Sequence, residues 1–104
     1  MPAETLHSTK PRRSQRARAW QSMRILRRFT ARQIVETAEL TRRHAQSYIR
    51  LLQRGGYVRR TGTDEMGERI YLLIRNTGPK APRESLPCIW DPNTQKEYPL
   101  DEHG

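Results

Sequence analysis

The sequence predicts an α+β fold that is mainly α, with three helices followed by a small two-stranded β-hairpin. Two observations predict it. Apolar residues recur at helical spacing in three successive segments between residues 19 and 54. The later run RIYLLIR, residues 69–75, is rich in β-forming residues and follows a turn bounded by Gly62 and Gly67. This run is expected to pair with a first strand at residues 57–61.

The limits of the first two helices are predicted from apolar spacing and capping residues. Residues 19–29 place four apolar side chains on one helical stripe: Trp20, Met23, Leu26 and Phe29. Thr30 then offers an N-cap, and Gln33 three residues later completes a capping-box pattern for the second helix. That helix is expected to end by Ala38, because Thr41 offers a fresh N-cap shortly afterwards.

The third helix, residues 42–54, is predicted to have one apolar face and one basic face. At 3.6 residues per turn, the apolar face consists of Ala45, Tyr48, Ile49 and Leu52. Arg42 and Gln53 lie on one flank, and the roughly opposite face consists of Arg43, Gln46, Ser47, Arg50 and Arg54. Gly55 and Gly56 are expected to end the helix with a left-handed C-cap.

Composition divides the chain of 104 residues into three parts, of which the middle part is expected to form the domain. Residues 1–18 are predicted to be a flexible basic N-terminal arm, and residues 19–77 contain the helices and the hairpin. Residues 78–104 contain five prolines and charges of both signs, so we expect a tail that is mostly extended or disordered. Within this tail, DPNT at residues 91–94 is typical of a tight turn.

The formal net charge of +9 is concentrated in the first 60 residues. That segment holds 15 Lys or Arg against three Glu, a balance of +12, whereas residues 61–104 hold five against eight Asp or Glu, a balance of −3. A strongly basic front indicates a polyanionic partner for that part of the chain. The plainer alternative is a generally basic protein whose charges are merely solvated.

Several protein classes are disfavoured by the sequence. No apolar run approaches the length of a membrane span, and the polar, basic start does not resemble a signal peptide. A single cysteine, Cys88, excludes an internal disulfide and favours a reducing, cytoplasmic setting. The three histidines lack metal-ligand spacing, and no catalytic arrangement or phosphate-cradling glycine loop is present. We therefore expect neither an enzyme nor a cofactor or metal site.

The predicted order of elements resembles the winged helix-turn-helix family of DNA-binding proteins over residues 19–77. The resemblance is most specific in TARQIVETAELTRRHAQSYIRLLQRGGYVRR, where a capped second helix, a short turn and a third helix ending in LLQRGGYV follow one another. The strand ERIYLL after the hairpin turn also matches. The whole chain, including TGPKAP, is similar to small winged-helix proteins of Mu-like transposable phages and prophages. This resemblance implies a transcriptional regulator in the cytoplasm of a bacterial cell or phage-infected host.

A basic helix anchored from behind by apolar residues is suited to the major groove of double-stranded DNA, where Arg and Gln reach base edges. Arg43, Gln46 and Arg50 are the predicted base contacts, and Arg42 and Ser47 are predicted to contact both bases and phosphates. The remaining candidates are predicted to contact the DNA backbone, or the minor groove in the case of the arm. They are Thr30 and Thr41 at helix N-termini, Arg54 at the end of the third helix, Arg59, Arg60 and Arg69 at the hairpin base, and Arg13, Arg16 and Arg18 in the arm. The hairpin tip is acidic, which disfavours phosphate contact there.

Two other functions are compatible with the sequence. The same basic face suits an interaction module that captures a host protein, and RNA binding is a weaker alternative because no exposed aromatic platform is evident. A homodimer is compatible with the sequence. The stretch PCIWDPNT in the tail, with Ile89 and Trp90, is a candidate either to fold back on the domain or to bind a protein partner.

Overall fold

The computed structural model describes residues 13–101, and within this range the chain forms three helices and six strands. In chain order these are α1 (Gln15–Leu26), β1 (Arg28–Thr30), α2 (Ala31–Ala38), α3 (Arg42–Arg54), β2 (Val58–Thr63), β3 (Arg69–Leu73), β4 (Arg83–Ser85), β5 (Cys88–Asp91) and β6 (Lys96–Pro99). The strands form two antiparallel sheets, ordered β1-β3-β2 and β4-β5-β6. None of the described helices is long and apolar enough to cross a membrane.

The first helix begins and ends earlier than the sequence predicts. The Ser14 hydroxyl oxygen caps α1 by accepting a hydrogen bond from the Ala17 amide at 3.1 Å, so residues 15–18 of the predicted flexible arm are helical. At the other end Arg27 has a positive φ of 66°, and its amide donates to the Met23 carbonyl. This ends the helix before Phe29, which lies in β1 instead. Residues 1–12 of the predicted arm lie outside the described residues.

The second and third helices have the predicted limits and the predicted caps. Thr30 Oγ1 accepts from the Gln33 amide at 3.2 Å, and Gln33 Oε1 accepts from the Thr30 amide at 2.9 Å, which completes the capping box. Thr41 Oγ1 caps α3 by accepting from the His44 amide at 3.1 Å. Each cap satisfies an amide that has no partner within its own helix, so both helix starts are locally determined.

The C-terminus of α3 is closed by two hydrogen bonds of the glycine cap. Gly56, with a φ of 82°, is the left-handed residue, whereas Gly55 is right-handed. The amide of Gly56 donates to the Gln53 carbonyl, and the amide of Tyr57 donates to the Leu52 carbonyl, at 3.1 and 2.8 Å. This turn reverses the chain directly into β2 and fixes Tyr57 beneath the helices.

The predicted two-stranded hairpin is one part of a three-stranded sheet. β1 pairs with β3 in the register Phe29↔Tyr71, and β3 is therefore the central strand rather than an outer one. A strand of three residues is too short to give a readable alternation, which is why the sequence predicted a helical continuation there. The pairing of β2 with β3 is irregular between Arg60 and Gly62.

The tail that is predicted to be mostly extended or disordered contains the second sheet. β5 lies between β4 and β6, and the prolines that discouraged a regular prediction avoid its interior. Pro82, Pro87 and Pro92 lie between strands, and Pro99 ends an edge strand, positions where a missing amide breaks no ladder. The expectation of a mainly α fold with a single two-stranded hairpin is therefore wrong, because the described residues form two three-stranded sheets.

The second sheet packs against the side of the helices that carries their apolar residues. Ile89 of β5 is fully buried in the same core as Trp20, Tyr48 and Tyr57. Trp20 Nε1 donates to a carbonyl oxygen at position 78, and the Tyr48 hydroxyl donates to the Pro82 carbonyl, at 2.8 and 2.7 Å. These bonds satisfy the polar ends of two buried aromatic rings and hold the segment between β3 and β4 on the core.

Candidate nucleic-acid interface

The two faces of α3 have opposite environments. Ala45, Tyr48, Ile49 and Leu52 are at most 2% exposed. The other face is solvent-accessible, and its exposed residues include Arg43, Gln46, Ser47 and Arg50. No residue of α3 is acidic, so its arginines form a cationic surface without an anionic neighbour on the same helix.

The orientation of this exposed face is fixed by the packing behind it. Ala45 has no exposed area and, being small, lets α3 approach the neighbouring helices closely. Ile49 and Leu52 anchor the next turn, and Tyr48 is held by its hydrogen bond to the Pro82 carbonyl. Because close-packed cores resist rotation of a helix, the exposed side chains are held in one direction. The second sheet contributes to the covered side and leaves the cationic side open.

A polar cleft of about 610 Å³ runs between α3 and the first sheet. Arg42, Gln46, Arg50 and Gln53 line it from α3, at helical spacing. The opposite wall and floor are formed by Gly67, Glu68, Arg69 and Tyr71, with Ala31 at the start of α2. Gln53 and Tyr71 were not among the predicted site residues. The place of Tyr71 in the cleft could have been predicted from Arg69, because residues two positions apart on a strand lie on one face.

An ion pair crosses this cleft. Arg42 Nη2 lies 2.8 Å from each carboxylate oxygen of Glu68, and the Glu68 side chain is 18% exposed. Glu68 lies at the end of a turn, residues 64–68, whose backbone is fixed by Asp64 Oδ1 accepting from the amides of Met66 and Glu68. The turn therefore presents a carboxylate to α3 in a defined position. Arg43 and Arg50 form no ion pair with another described residue.

The two predicted phosphate-binding threonines differ in availability. Thr41 is exposed at the N-terminus of α3, and its hydroxyl still has a proton to donate after the oxygen accepts from the His44 amide. Thr30 is only 8% exposed and is committed to the capping box of α2. The positive end of the α3 dipole lies beside Thr41, which favours an anion there.

Three candidate arginines of the first sheet, Arg59, Arg60 and Arg69, are exposed, and only one of them faces the cleft. Arg69 lines the cleft beside Glu68, whereas Arg59 and Arg60 do not. Arg60 donates to Thr63 Oγ1 at 3.0 Å. Arg69 is therefore the arginine of this group best placed to act together with α3.

The four remaining candidate arginines do not line the cleft, and three of them have contacts within the fold. Arg18 Nε donates to the Ala38 carbonyl at 2.8 Å and so helps to cap α2, while Arg16 lies over the Tyr48 ring at 5.4 Å. Arg54 Nε donates to the carbonyl of residue 101 at 2.9 Å. Arg13 is exposed at the start of the described chain. Such contacts with distant backbone carbonyls have no signature in the sequence.

A second polar cluster holds the second sheet to the core. Asp91 is fully buried, and its carboxylate accepts hydrogen bonds from the Tyr57 hydroxyl at 2.7 Å, the Thr77 hydroxyl at 2.6 Å and the Asn93 amides at 2.8 and 3.0 Å. Burial acts to raise the pKa of Asp91, but the hydrogen bonds from Thr77, Tyr57 and Asn93 outweigh it and hold that pKa below its ordinary value. Burial, together with this carboxylate, raises the pKa of Tyr57.

The other proposed contacts and ligand types are placed as follows. Ile89 is buried in the chain's own core, and Trp90 is partly buried, so this part of the tail folds back on the domain, which was one of its two predicted roles. Among the described residues, no group of three His, Cys, Asp or Glu side chains is arranged to hold a metal ion. Comparison of the chain with models of protein families, with characterised proteins and with solved structures found no match.

Proposed function

We propose that this protein binds double-stranded DNA by inserting the exposed face of α3 into the major groove. The observation that carries the proposal is the difference between the two faces of α3. One face is buried against the helices and the second sheet, and the other presents Arg43, Gln46, Ser47 and Arg50 to solvent. A face of arginine and glutamine on an anchored helix has the chemistry that duplex readout requires.

The spacing of the exposed residues suits several consecutive bases. Arg43, Gln46, Ser47 and Arg50 follow one another by three, one and three positions, so they form one stripe along α3. At 1.5 Å rise per residue the stripe is about 10 Å long, roughly three base-pair steps of B-DNA. Arg43 and Arg50 are assigned to guanine edges and Gln46 to an adenine edge, the pairings that two-point hydrogen bonding favours.

Charge supports binding to the phosphate backbone on either side of this stripe. Arg69 faces the same cleft as α3, and Thr41 stands at the positive end of the helix dipole. The arginines of α3 have no acidic residue on their own helix to neutralise them. A polyanion that follows this surface therefore gains favourable contacts without displacing many internal ion pairs.

A salt titration of binding tests the proposal. The full chain is titrated with a mixed-sequence duplex, with the corresponding single strand and with RNA, each over a range of salt concentrations. We expect preference for the duplex and a linear fall of log affinity with log salt, with a slope of about −0.9 per phosphate contact. Equal affinity for single strands or RNA contradicts major-groove binding. An absence of duplex binding at low salt contradicts DNA binding and favours an acidic protein partner.

A further inference from the structure

Glu68 lies where a negative charge lowers the affinity for DNA. It projects into the cleft beside the exposed face of α3, and its side chain is more buried than that of Arg42, at 18% against 48% exposed. A carboxylate in that position repels a phosphate at the same edge of the helix. Its effect on binding therefore depends on what it does to Arg42.

The geometry assigns Glu68 to Arg42 rather than to solvent. One guanidinium nitrogen, Nη2, lies 2.8 Å from both carboxylate oxygens, and this is the side-chain ion pair that joins α3 to the 64–68 turn. Hydrogen bonds within the turn hold its backbone independently of the ion pair: Asp64 Oδ1 accepts from the amides of Met66 and Glu68. The turn thus sets the backbone position of Glu68, and the longer Arg42 side chain reaches it from α3.

Other charged groups lie near the pair. Arg69 and Arg50 line the same cleft and supply positive charge beside Glu68, while Asp64 and Glu65 belong to the same turn. Glu65 is exposed and forms no ion pair with a described residue, so it contributes only long-range repulsion, which salt screens. Glu68 differs from Glu65 in having a specific partner on α3.

We propose that Glu68 is a specificity-determining residue of the α3 surface: it sequesters Arg42 from DNA phosphates and so lowers sequence-independent affinity. The inference rests on the proposed DNA-binding function. Contacts to phosphate raise binding to every duplex equally, whereas base contacts separate one sequence from another. Because Arg42 is kept from phosphates, a larger share of the binding free energy comes from Arg43, Gln46 and Arg50.

Glu68→Gln tests the proposal, with Glu65→Gln as the matched control. Each variant removes one negative charge from the same turn, and only the first releases Arg42. On a short mixed-sequence duplex we expect Glu68→Gln to bind up to about fivefold more tightly at low salt, the size of an exposed ion pair. The log–log salt slope becomes steeper by about 0.9, one phosphate contact. Glu65→Gln leaves the slope unchanged.

The double variant Arg42→Gln/Glu68→Gln identifies the path of the effect. If the gain comes from the released arginine, the double variant returns to the affinity and slope of the wild-type protein, because it lacks both charges of the pair. A gain that persists in the double variant, or one that Glu65→Gln reproduces, overturns the proposal. Weaker binding by Glu68→Gln also overturns it, since Glu68 then positions Arg42 for contact.

The wild-type titration separates this proposal from the one on which it rests. If wild-type protein binds duplex DNA with a measurable salt slope and Glu68→Gln matches it, only the role of Glu68 fails. If the wild-type protein binds no duplex at low salt, the proposed function fails and the role of Glu68 fails with it. Thermal unfolding of each variant verifies that the turn and α3 remain folded.

Discussion

Two polar regions of this molecule differ in whether their charged groups have partners within the fold. Around Asp91 a fully buried anion receives four hydrogen bonds from three neighbouring residues. On the exposed face of α3, Arg43 and Arg50 face solvent with no ion pair to a described residue. A buried charge must be satisfied within the fold, whereas an exposed one is free to serve an external partner. The comparison separates the polar residues that hold this structure together from those available for binding.

The largest expected effect comes from breaking the buried region. Asp91→Ala leaves the hydroxyls of Tyr57 and Thr77 without their acceptor and removes the anchor of the second sheet. We expect a loss of about 3 kcal/mol or more in the free energy of unfolding. Chemical denaturation monitored by tryptophan fluorescence measures it. Glu84→Ala, an exposed acidic residue of β4, is the control and is expected to change stability by less than about 0.5 kcal/mol.

A loss from Asp91→Ala no greater than that from Glu84→Ala contradicts the structural role of the buried carboxylate. In that case the hydrogen bonds of Asp91 are not the main polar contact that holds the second sheet on the helices. A loss of duplex binding in a folded Asp91→Ala variant does not indicate a direct DNA contact by Asp91, because this residue lies away from the exposed face of α3.

The next effect is on binding and not on stability. Arg43→Ala removes a predicted base contact, so we expect a loss of about 1–3 kcal/mol in binding to a preferred duplex, roughly 5- to 150-fold. The preferred sequence is obtained by selection from a random duplex pool with the wild-type protein. Binding to unselected duplex falls much less, because base contacts supply little of that affinity. Unfolding is expected to be unchanged, since the side chain is exposed.

Arg83→Ala is the matched control for that experiment. Arg83 is an exposed arginine of β4, so the variant makes the same change in net charge on the second sheet. Equal losses from Arg43→Ala and Arg83→Ala indicate a general effect of charge. Equal weakening of selected and unselected duplex by Arg43→Ala makes Arg43 a phosphate contact and not a base contact.

The smallest expected effect is a pH dependence of stability. The pKa of Asp91 is lower in the folded protein than in the unfolded chain, so its ionised form stabilises the fold. This contribution is fully present above the unfolded pKa of about 4 and is lost as the pH falls through the lower folded value. Denaturation at a series of acidic pH values measures it. Asp91→Asn is expected to flatten this dependence, and an unchanged slope in that variant contradicts the assignment.

The parts of the fold that the sequence predicted correctly are determined by local signals. The caps at Thr30 and Thr41, the limits of α2 and α3 and the burial of Ala45, Ile49 and Leu52 all follow from residues a few positions apart. The turn predicted at residues 91–94 is present one position later, at residues 92–95, because Asp91 still belongs to β5. Short-range hydrogen bonding and helical periodicity are sufficient for such features.

The second sheet was not predictable in the same way. Its strands have three or four residues each, and prolines separate them, so no periodic pattern is long enough to read. The segment is held in place by the burial of Ile89 and by the hydrogen bond that Asp91 accepts from the Tyr57 hydroxyl, 34 positions earlier in the chain. Likewise, the pair of Arg42 and Glu68 is 26 positions apart and is brought together only by the fold.

Amide chemical-shift mapping is the most direct test of the central claim that α3 reads duplex DNA with its exposed face. Isotope-labelled protein is titrated with a mixed-sequence duplex at low salt, and the shift of each backbone amide is recorded. We expect the largest changes in residues 41–54 and around Arg69, with small changes in β4, β5 and β6. Largest changes in the second sheet, or none in α3 at saturating duplex, contradict it.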